Sequence, residues 1–219
     1  MGELFSQIIT VVIACSLFLL VPSFYMTASK SNSVRIISGT LRGRKVSFPD
    51  GEGLRPTKDQ VRETLFNWLQ FEIPGKQCLD LFAGSGVLGI ECLSRGAQSV
   101  TFIEKNPTAA NGITASLAQL ELTTGHVVCG DSLKWLNEAE FNGLSYDLIF
   151  LDPPFAQKQG CELVSKLLSK CLLKDEAKVY FEASEDPSAF FEPKDWQQIK
   201  LKKTGGVYYG LWRLLKKDI

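Results

Sequence analysis

The chain has 219 residues, 45% hydrophobic and 22% charged, a balance that excludes a disordered or low-complexity protein and suffices for one α/β-sized core. Lys and Arg total 24 against 24 Asp and Glu, which excludes a polycation that coats nucleic acid with its whole surface. Six cysteines without a C-x-x-C, and the single histidine His126, argue against zinc modules, disulfide scaffolds and hydrolases built around a second histidine, so a reduced, cytoplasmic setting is expected.

In chain order, the first segment is the anomaly, because Leu4 to Ser29 contains no charged residue. Two expectations are carried for residues 1–25. The favoured one is a start codon set too early, with Met26 opening the protein; the second is a membrane anchor whose Lys30 side stays cytoplasmic. Glu3 and the lack of Lys or Arg before the apolar run disfavour a secretory signal. Next, Val34–Ser38 and Lys45–Phe48 flank the turn-prone Gly39-Thr-Leu-Arg-Gly43, which predicts a small β-hairpin. Pro56-Thr57 then opens a helix with Val61, Leu65, Trp68 and Leu69 on one face.

From residue 77 a regular alternation begins. Strands are predicted at 77–82, 99–104, 126–129, 146–151 and 177–182, and helices near 87–95, 107–120, 131–139 and 159–171. Nearly continuous apolar strands such as Tyr146–Leu151, separated by helices, indicate a parallel sheet covered on both faces. Segments 197–203 and 207–214, joined through Gly205-Gly206, predict a closing antiparallel hairpin. The fold class is therefore α/β: a Rossmann-like, mostly parallel sheet with an antiparallel C-terminal hairpin, preceded by a small β-hairpin and helix.

Charge follows the same division. Residues 30–62 hold eight Lys/Arg against three acids, residues 194–219 seven against two, and the middle nine against eighteen. Basic ends on an acidic body give a polyanion one preferred face.

Cys78-Leu-Asp-Leu-Phe82 leads into Ala83-Gly84-Ser85-Gly86-Val-Leu-Gly89, a G-x-G-x-x-G between a predicted strand and helix. Its glycines permit a tight turn and let a ligand approach backbone N–H groups at a helix N-terminus. Glu104, twenty residues after Gly84, closes the next strand, where a carboxylate accepts ribose hydroxyls. NAD, FAD and S-adenosylmethionine share this pattern. Asp80 separates them: beside a pyrophosphate it would repel, whereas it suits the cationic α-amino group of S-adenosylmethionine. Asp131 reads equally as an acceptor for the adenine amine and as a helix N-cap.

After the strand 146–151 comes Asp152-Pro153-Pro154-Phe155. The prolines leave the Asp152 carboxylate and the Pro153 carbonyl as rigid acceptors at the carboxyl end of a strand, the crevice where open α/β sheets bind ligands. Holding both hydrogens of an exocyclic base amine aims its lone pair at an electrophile, which points to amine methylation. Phe155 would stack on the base, a contact of about 1–3 kcal/mol. The chemistry is expected to need neither a metal nor a general base of shifted pKa, with positioning and acceptor electrostatics supplying catalysis.

From about Val34 onward the sequence resembles the bacterial 16S rRNA guanine-N2 methyltransferases called RsmD. The resemblance rests on Arg35-Ile-Ile-Ser-Gly-Thr-Leu-Arg-Gly-Arg-Lys45, Leu54-Arg-Pro-Thr-Lys-Asp-Gln-Val-Arg-Glu-Thr-Leu-Phe-Asn-Trp-Leu69, Leu79-Asp-Leu-Phe-Ala-Gly-Ser-Gly86 and Asp152-Pro-Pro-Phe155. It implies a class I methyltransferase sheet, S-adenosylmethionine as donor and one guanine of 16S rRNA as acceptor, free or in an assembling 30S subunit. The expected cofactor contacts are Asp80, Phe82, Ala83, Gly84, Ser85, Gly86, Glu104 and Asp131. Asp152, Pro153, Pro154 and Phe155 would hold the guanine, and Arg35, Arg42, Arg44, Lys45, Arg55, Lys58 and Arg62 the RNA phosphates. The expected organisation is an apolar segment at 1–25, a basic RNA-binding hairpin and helix at 26–70 and a methyltransferase domain at 71–219, acting as a monomer. Competing readings are a DNA adenine-N6 methyltransferase, for which a target-recognition domain lacks room, a protein-glutamine methyltransferase, and a non-catalytic RNA-binding scaffold.

Overall fold

The computed structural model describes residues 31–49, 59–138, 145–153, 158–169 and 172–216. The apolar segment 1–25, with the start-site and anchor readings, lies outside the described residues, as do Arg55, Lys58, Pro154 and Phe155. Among the described residues no helix is long and apolar enough to cross a membrane.

The chain opens with an antiparallel ribbon of β1 (Ser31–Arg35) and β2 (Lys45–Pro49), in which Val34 faces Val46. The first strand ends at Arg35, sooner than its sequence implied, because the chain turns there. Ile36 still closes the ribbon through its N–H to the Arg44 carbonyl at 2.9 Å. Helix α1 (Asp59–Trp68) follows and buries Val61, Leu65 and Phe66, with Leu69 just beyond it. Trp68, expected on the buried face, is half-buried and stacks on Tyr209. Phe66 and Arg62 take the inner positions instead.

The main sheet has seven strands: β3 (Gln77–Asp80), β4 (Ser99–Glu104), β5 (Gly125–Cys129), β6 (Tyr146–Leu151), β7 (Leu173–Ala183), β8 (Trp196–Thr204) and β9 (Val207–Leu214). They lie in the order β5-β4-β3-β6-β7-β9-β8, parallel as far as β7, with β9 antiparallel to both β7 and β8. Helices α2 (Val87–Ser94), α3 (Pro107–Gln119), α4 (Ser132–Glu138) and α5 (Lys158–Ser169) provide the crossovers. The expected alternation is thus present, with β7 starting earlier than anticipated because Leu173 pairs with Tyr146 before a bulge.

Side chains alternate across a strand, so each strand feeds two cores. Phe102, Phe150, Tyr180 and Tyr209 join one apolar cluster; Ile103, Ile149, Leu151, Val179, Phe181 and Trp212 join the other. The ribbon and α1 have no core of their own. Val34, Ile36, Val46, Phe48, Leu65 and Phe66 belong to the first cluster together with the sheet.

The strand order reverses direction between β3 and β6. Crossovers leave β3 toward β4 on one side and reach β6 and β7 on the other, which opens a crevice above the carboxyl ends of β3 and β6.

Candidate active site

The glycine loop follows β3 into α2, with Gly84 and Gly86 at φ of 53° and 73°. A Cβ at Gly86 would meet Ile113 at 2.9 Å, and one at Gly89 would lie 2.2 Å from the Phe102 ring. The second and third glycines therefore answer different needs: the turn with its close approach to α3, and the seating of α2 on the sheet. Gly86 N–H bonds the Ala83 carbonyl at 2.7 Å, and Ala83 N–H is tied to Ile103 at 3.0 Å. Ser85 is buried within the turn, and Phe82 packs against the second apolar cluster.

Glu104, at the end of β4, accepts the Gly84 N–H at 2.8 Å and the Asn106 N–H at 2.7 Å, one on each oxygen. The carboxylate anticipated for ribose thus also shapes the loop, and each oxygen has a second lone pair to offer. Asn106 caps α3, its side chain accepting from Thr108 and Ala109 ahead of Pro107. Asp131 accepts the Lys134 N–H at 3.0 Å, so its N-cap role is present, and the residue is exposed after β5. Ser132, which sequence reasoning passed over, is buried and donates to the Leu81 carbonyl, tying α4 to the strand before the glycine loop. A serine opening a helix was its only sequence signal.

Asp80 and Asp152 come from adjacent parallel strands. Asp80 pairs laterally with Phe150, and Asp152 lies two residues beyond Phe150, directly after β6. Asp80 is buried and accepts the Gly89 N–H at 3.3 Å. Burial, with Glu104 adding like charge, raises its carboxyl to about 7 against the opposing Gly89 bond. Burial also pushes Asp152 well above the usual carboxylate range, with Glu182 and Asp80 adding to the effect. Both carboxyls thus stand above their ordinary range, in a site whose chemistry is expected from sequence to need no general base of shifted pKa. The side chains that Asp80 and Asp152 feel are other carboxylates, so ionising either one costs more than in water. Such a cluster favours a cationic ligand. S-adenosylmethionine, with a sulfonium and an α-ammonium, has the matching charge, whereas a pyrophosphate does not.

The RNA-binding set divides. Arg35, Arg42, Arg44 and Lys45 are exposed on the ribbon and its loop, Arg35 donating to the Gly43 carbonyl at 3.2 Å. Arg62 does not belong with them. It is 1% exposed and donates to the Arg35 carbonyl at 3.1 Å, to Glu91 at 3.4 Å and to Asp59 at 2.8 Å. Its position one residue after Val61 turns it inward, where both terminal nitrogens are engaged internally and are unavailable to phosphate.

Sequence reasoning also missed the clamp that holds the arginine loop. Glu91, buried in α2, accepts the Ile37 N–H at 2.6 Å and also pairs with Arg62 and Arg95. Ser94 donates to the Ser38 carbonyl at 2.7 Å and accepts the Leu41 N–H at 3.0 Å, while its own carbonyl accepts the Thr40 N–H at 2.8 Å. Gly39 fits only because it lacks a side chain: φ is 87°, and a Cβ would fall 1.9 Å from the Ser94 carbonyl oxygen. Helix α2 therefore begins in the glycine loop and ends in the clamp on the arginine loop.

The crossover order, glycine turn and acidic strand ends define a Rossmann-like methyltransferase that uses S-adenosylmethionine. Residues 34–213 match the family described as Conserved hypothetical protein 95. The chain is 42% identical over 189 residues to ribosomal RNA small subunit methyltransferase D of Haemophilus influenzae, covering 85% of this chain and 97% of that protein. It is 40% identical over 185 residues to the protein of that name from Escherichia coli, covering 84% and 92%. This chain belongs to that family, the ribosomal RNA small subunit methyltransferases D. The solved yhhF chain from Escherichia coli superposes with a TM-score of 0.76 at 39% identity, over 85% of this chain and all of that one. A methyltransferase structure in complex with SAH shares the fold at a TM-score of 0.67 and 18% identity, over 85% of this chain and 57% of its own.

Proposed function

We propose that the protein methylates the exocyclic N2 amine of a guanine in small-subunit (16S) rRNA, free or within an assembling 30S subunit. The observation that carries this reading is the placement of Asp152 and Pro153 directly after β6, beside Asp80 at the switch point of the sheet. The names of the relatives supply the rRNA.

Asp80 holds the ligand's α-ammonium. Glu104 accepts from the ribose while it keeps the Gly84 turn, and Asp131 faces the adenine. Phe82, Ala83, Gly84, Ser85 and Gly86 form the floor of this site. When bound, S-adenosylmethionine supplies a methyl group made electrophilic by its sulfonium. Asp152 and the Pro153 carbonyl accept the two N2 hydrogens, so that the nitrogen lone pair points at the methyl carbon. Transfer of that methyl group to the nitrogen would release S-adenosylhomocysteine, and the ionised Asp152 carboxylate would take the proton that the nitrogen loses. Burial and the neighbouring carboxylates favour the neutral form of Asp152 in the ligand-free site, and the positive charge of a bound S-adenosylmethionine would favour the ionised form that accepts. Pro154 and Phe155 complete the base site in this reading, Phe155 by stacking. Arg35, Arg42, Arg44 and Lys45, with Arg55 and Lys58, contact phosphates.

The test has two parts. Mass mapping of 16S rRNA from a strain lacking the gene should reveal one guanine that loses its N2 methyl group and regains it with the purified protein. Asp152→Ala should bind S-adenosylmethionine within a few-fold of the parent yet turn over about 10²-fold more slowly. A methyl group found on another atom, or an Asp152→Ala variant with near-normal turnover, would refute the assignment.

A further inference from the structure

Strands β6 and β7 run parallel with Phe150 opposite Tyr180 and Leu151 opposite Phe181. The next residue on each chain is a carboxylate, Asp152 and Glu182. Adjacent strands lie about 4.8 Å apart, and alternation gives both residues the face of Phe150 and Tyr180, whose rings meet edge-on at 6.1 Å. The Tyr180 hydroxyl donates to Glu182 Oε2 at 2.9 Å, which fixes the direction of that side chain. On its other side Glu182 pairs with Tyr209 of β9. The register of β6 and β7 sets the two carboxyls at the same end of neighbouring strands, close enough for Glu182 to help raise the Asp152 carboxyl.

A guanine presents two kinds of donor on one edge, the N2 amine and, beside it, the N1–H. Once Asp152 and the Pro153 carbonyl take the amine hydrogens, the N1–H faces the adjacent strand. We propose that Glu182 accepts the N1–H of the target base and so makes the site specific for guanine. This inference rests on the guanine-N2 reading above. A base with an N1 acceptor would set its lone pair against a half-buried carboxylate, an unpaired contact that lowers its binding. Glu182 is thus a specificity residue, distinct from Asp152, which positions the reacting nitrogen.

The experiment uses the full chain with RNA carrying the mapped target as guanine or as 2-aminopurine, which keeps the N2 amine but has an N1 acceptor. Single-turnover methyl transfer is read for the parent and for Glu182→Gln, with S-adenosylmethionine affinity measured alongside. The parent should prefer guanine by about 10²-fold. In Glu182→Gln the guanine rate should fall about 10- to 100-fold and the 2-aminopurine rate rise, since the amide can donate to N1; cofactor affinity should stay within about twofold. A variant that keeps the parent's base preference overturns the proposal, as does one whose cofactor affinity falls in parallel with its rate, because Glu182 would then be structural. If the parent itself places no methyl group on guanine N2, the guanine reading fails instead, and mapping the product separates the two failures.

Discussion

With Asp80 as the proposed partner of the α-ammonium, its raised carboxyl should make cofactor affinity depend on pH. Burial, against the Gly89 hydrogen bond and with Glu104 nearby, pushes the Asp80 carboxyl up to about 7. A cationic α-ammonium binds the ionised form. Affinity should therefore rise as pH increases through 7 and then level off. Below 7 each pH unit costs about 1.4 kcal/mol, so binding at pH 6 should be about tenfold weaker than at pH 8. Near neutrality about half a proton should leave on binding, measurable by calorimetry in buffers of different ionisation heat. Asp80→Asn should weaken binding at pH 8 and flatten the profile. For the unliganded fold the sign is opposite. A carboxyl whose folded pKa lies above its unfolded value of 3.8 favours folding when protonated, and that contribution is lost as pH rises from about 4 through 7. A pH-independent affinity, proton uptake on binding, or an undiminished slope in Asp80→Asn would refute this account of the site.

Gly39→Ala should cost about 1–3 kcal/mol from positive φ alone and dislodge the arginine loop from Ser94, lowering RNA affinity while S-adenosylmethionine affinity is retained in parallel titrations. Arg62→Ala should lower stability by about 3 kcal/mol in denaturant titrations, because it leaves buried Glu91 short of a partner, while the salt dependence of RNA binding by the folded protein stays unchanged. The exposed pair behaves in the reverse manner: Arg42→Ala with Arg44→Ala should leave stability near that of the parent and reduce the salt slope of log K by about 0.7 to 0.9 per lost phosphate contact.

Much of this protein was legible before any coordinates, because the signals involved are local. Apolar runs of strand length between helical stretches specified β4 and β6 to the residue and the other parallel elements to within a few positions, β7 excepted. The Gly84-Ser-Gly86 turn, Glu104 closing its strand and Asp152-Pro153 following another are each recognisable from a few neighbouring residues. What local pattern cannot convey is which residues become neighbours across the sheet and between layers. Arg62 reads as one more cation in a basic stretch, and only the docking of α1 over α2 sets it beside Glu91, 29 residues away. Glu91 and Ser94 read as ordinary helical residues until the ribbon loop, more than fifty positions earlier, folds onto them. Glu182 gives no sign of function in its own strand; it gains one from the parallel register of β6 and β7, which brings it beside Asp152. The upward shifts of Asp80 and Asp152 have the same origin. Burial and like charge are properties of the assembled crevice, and chain neighbours alone do not produce them.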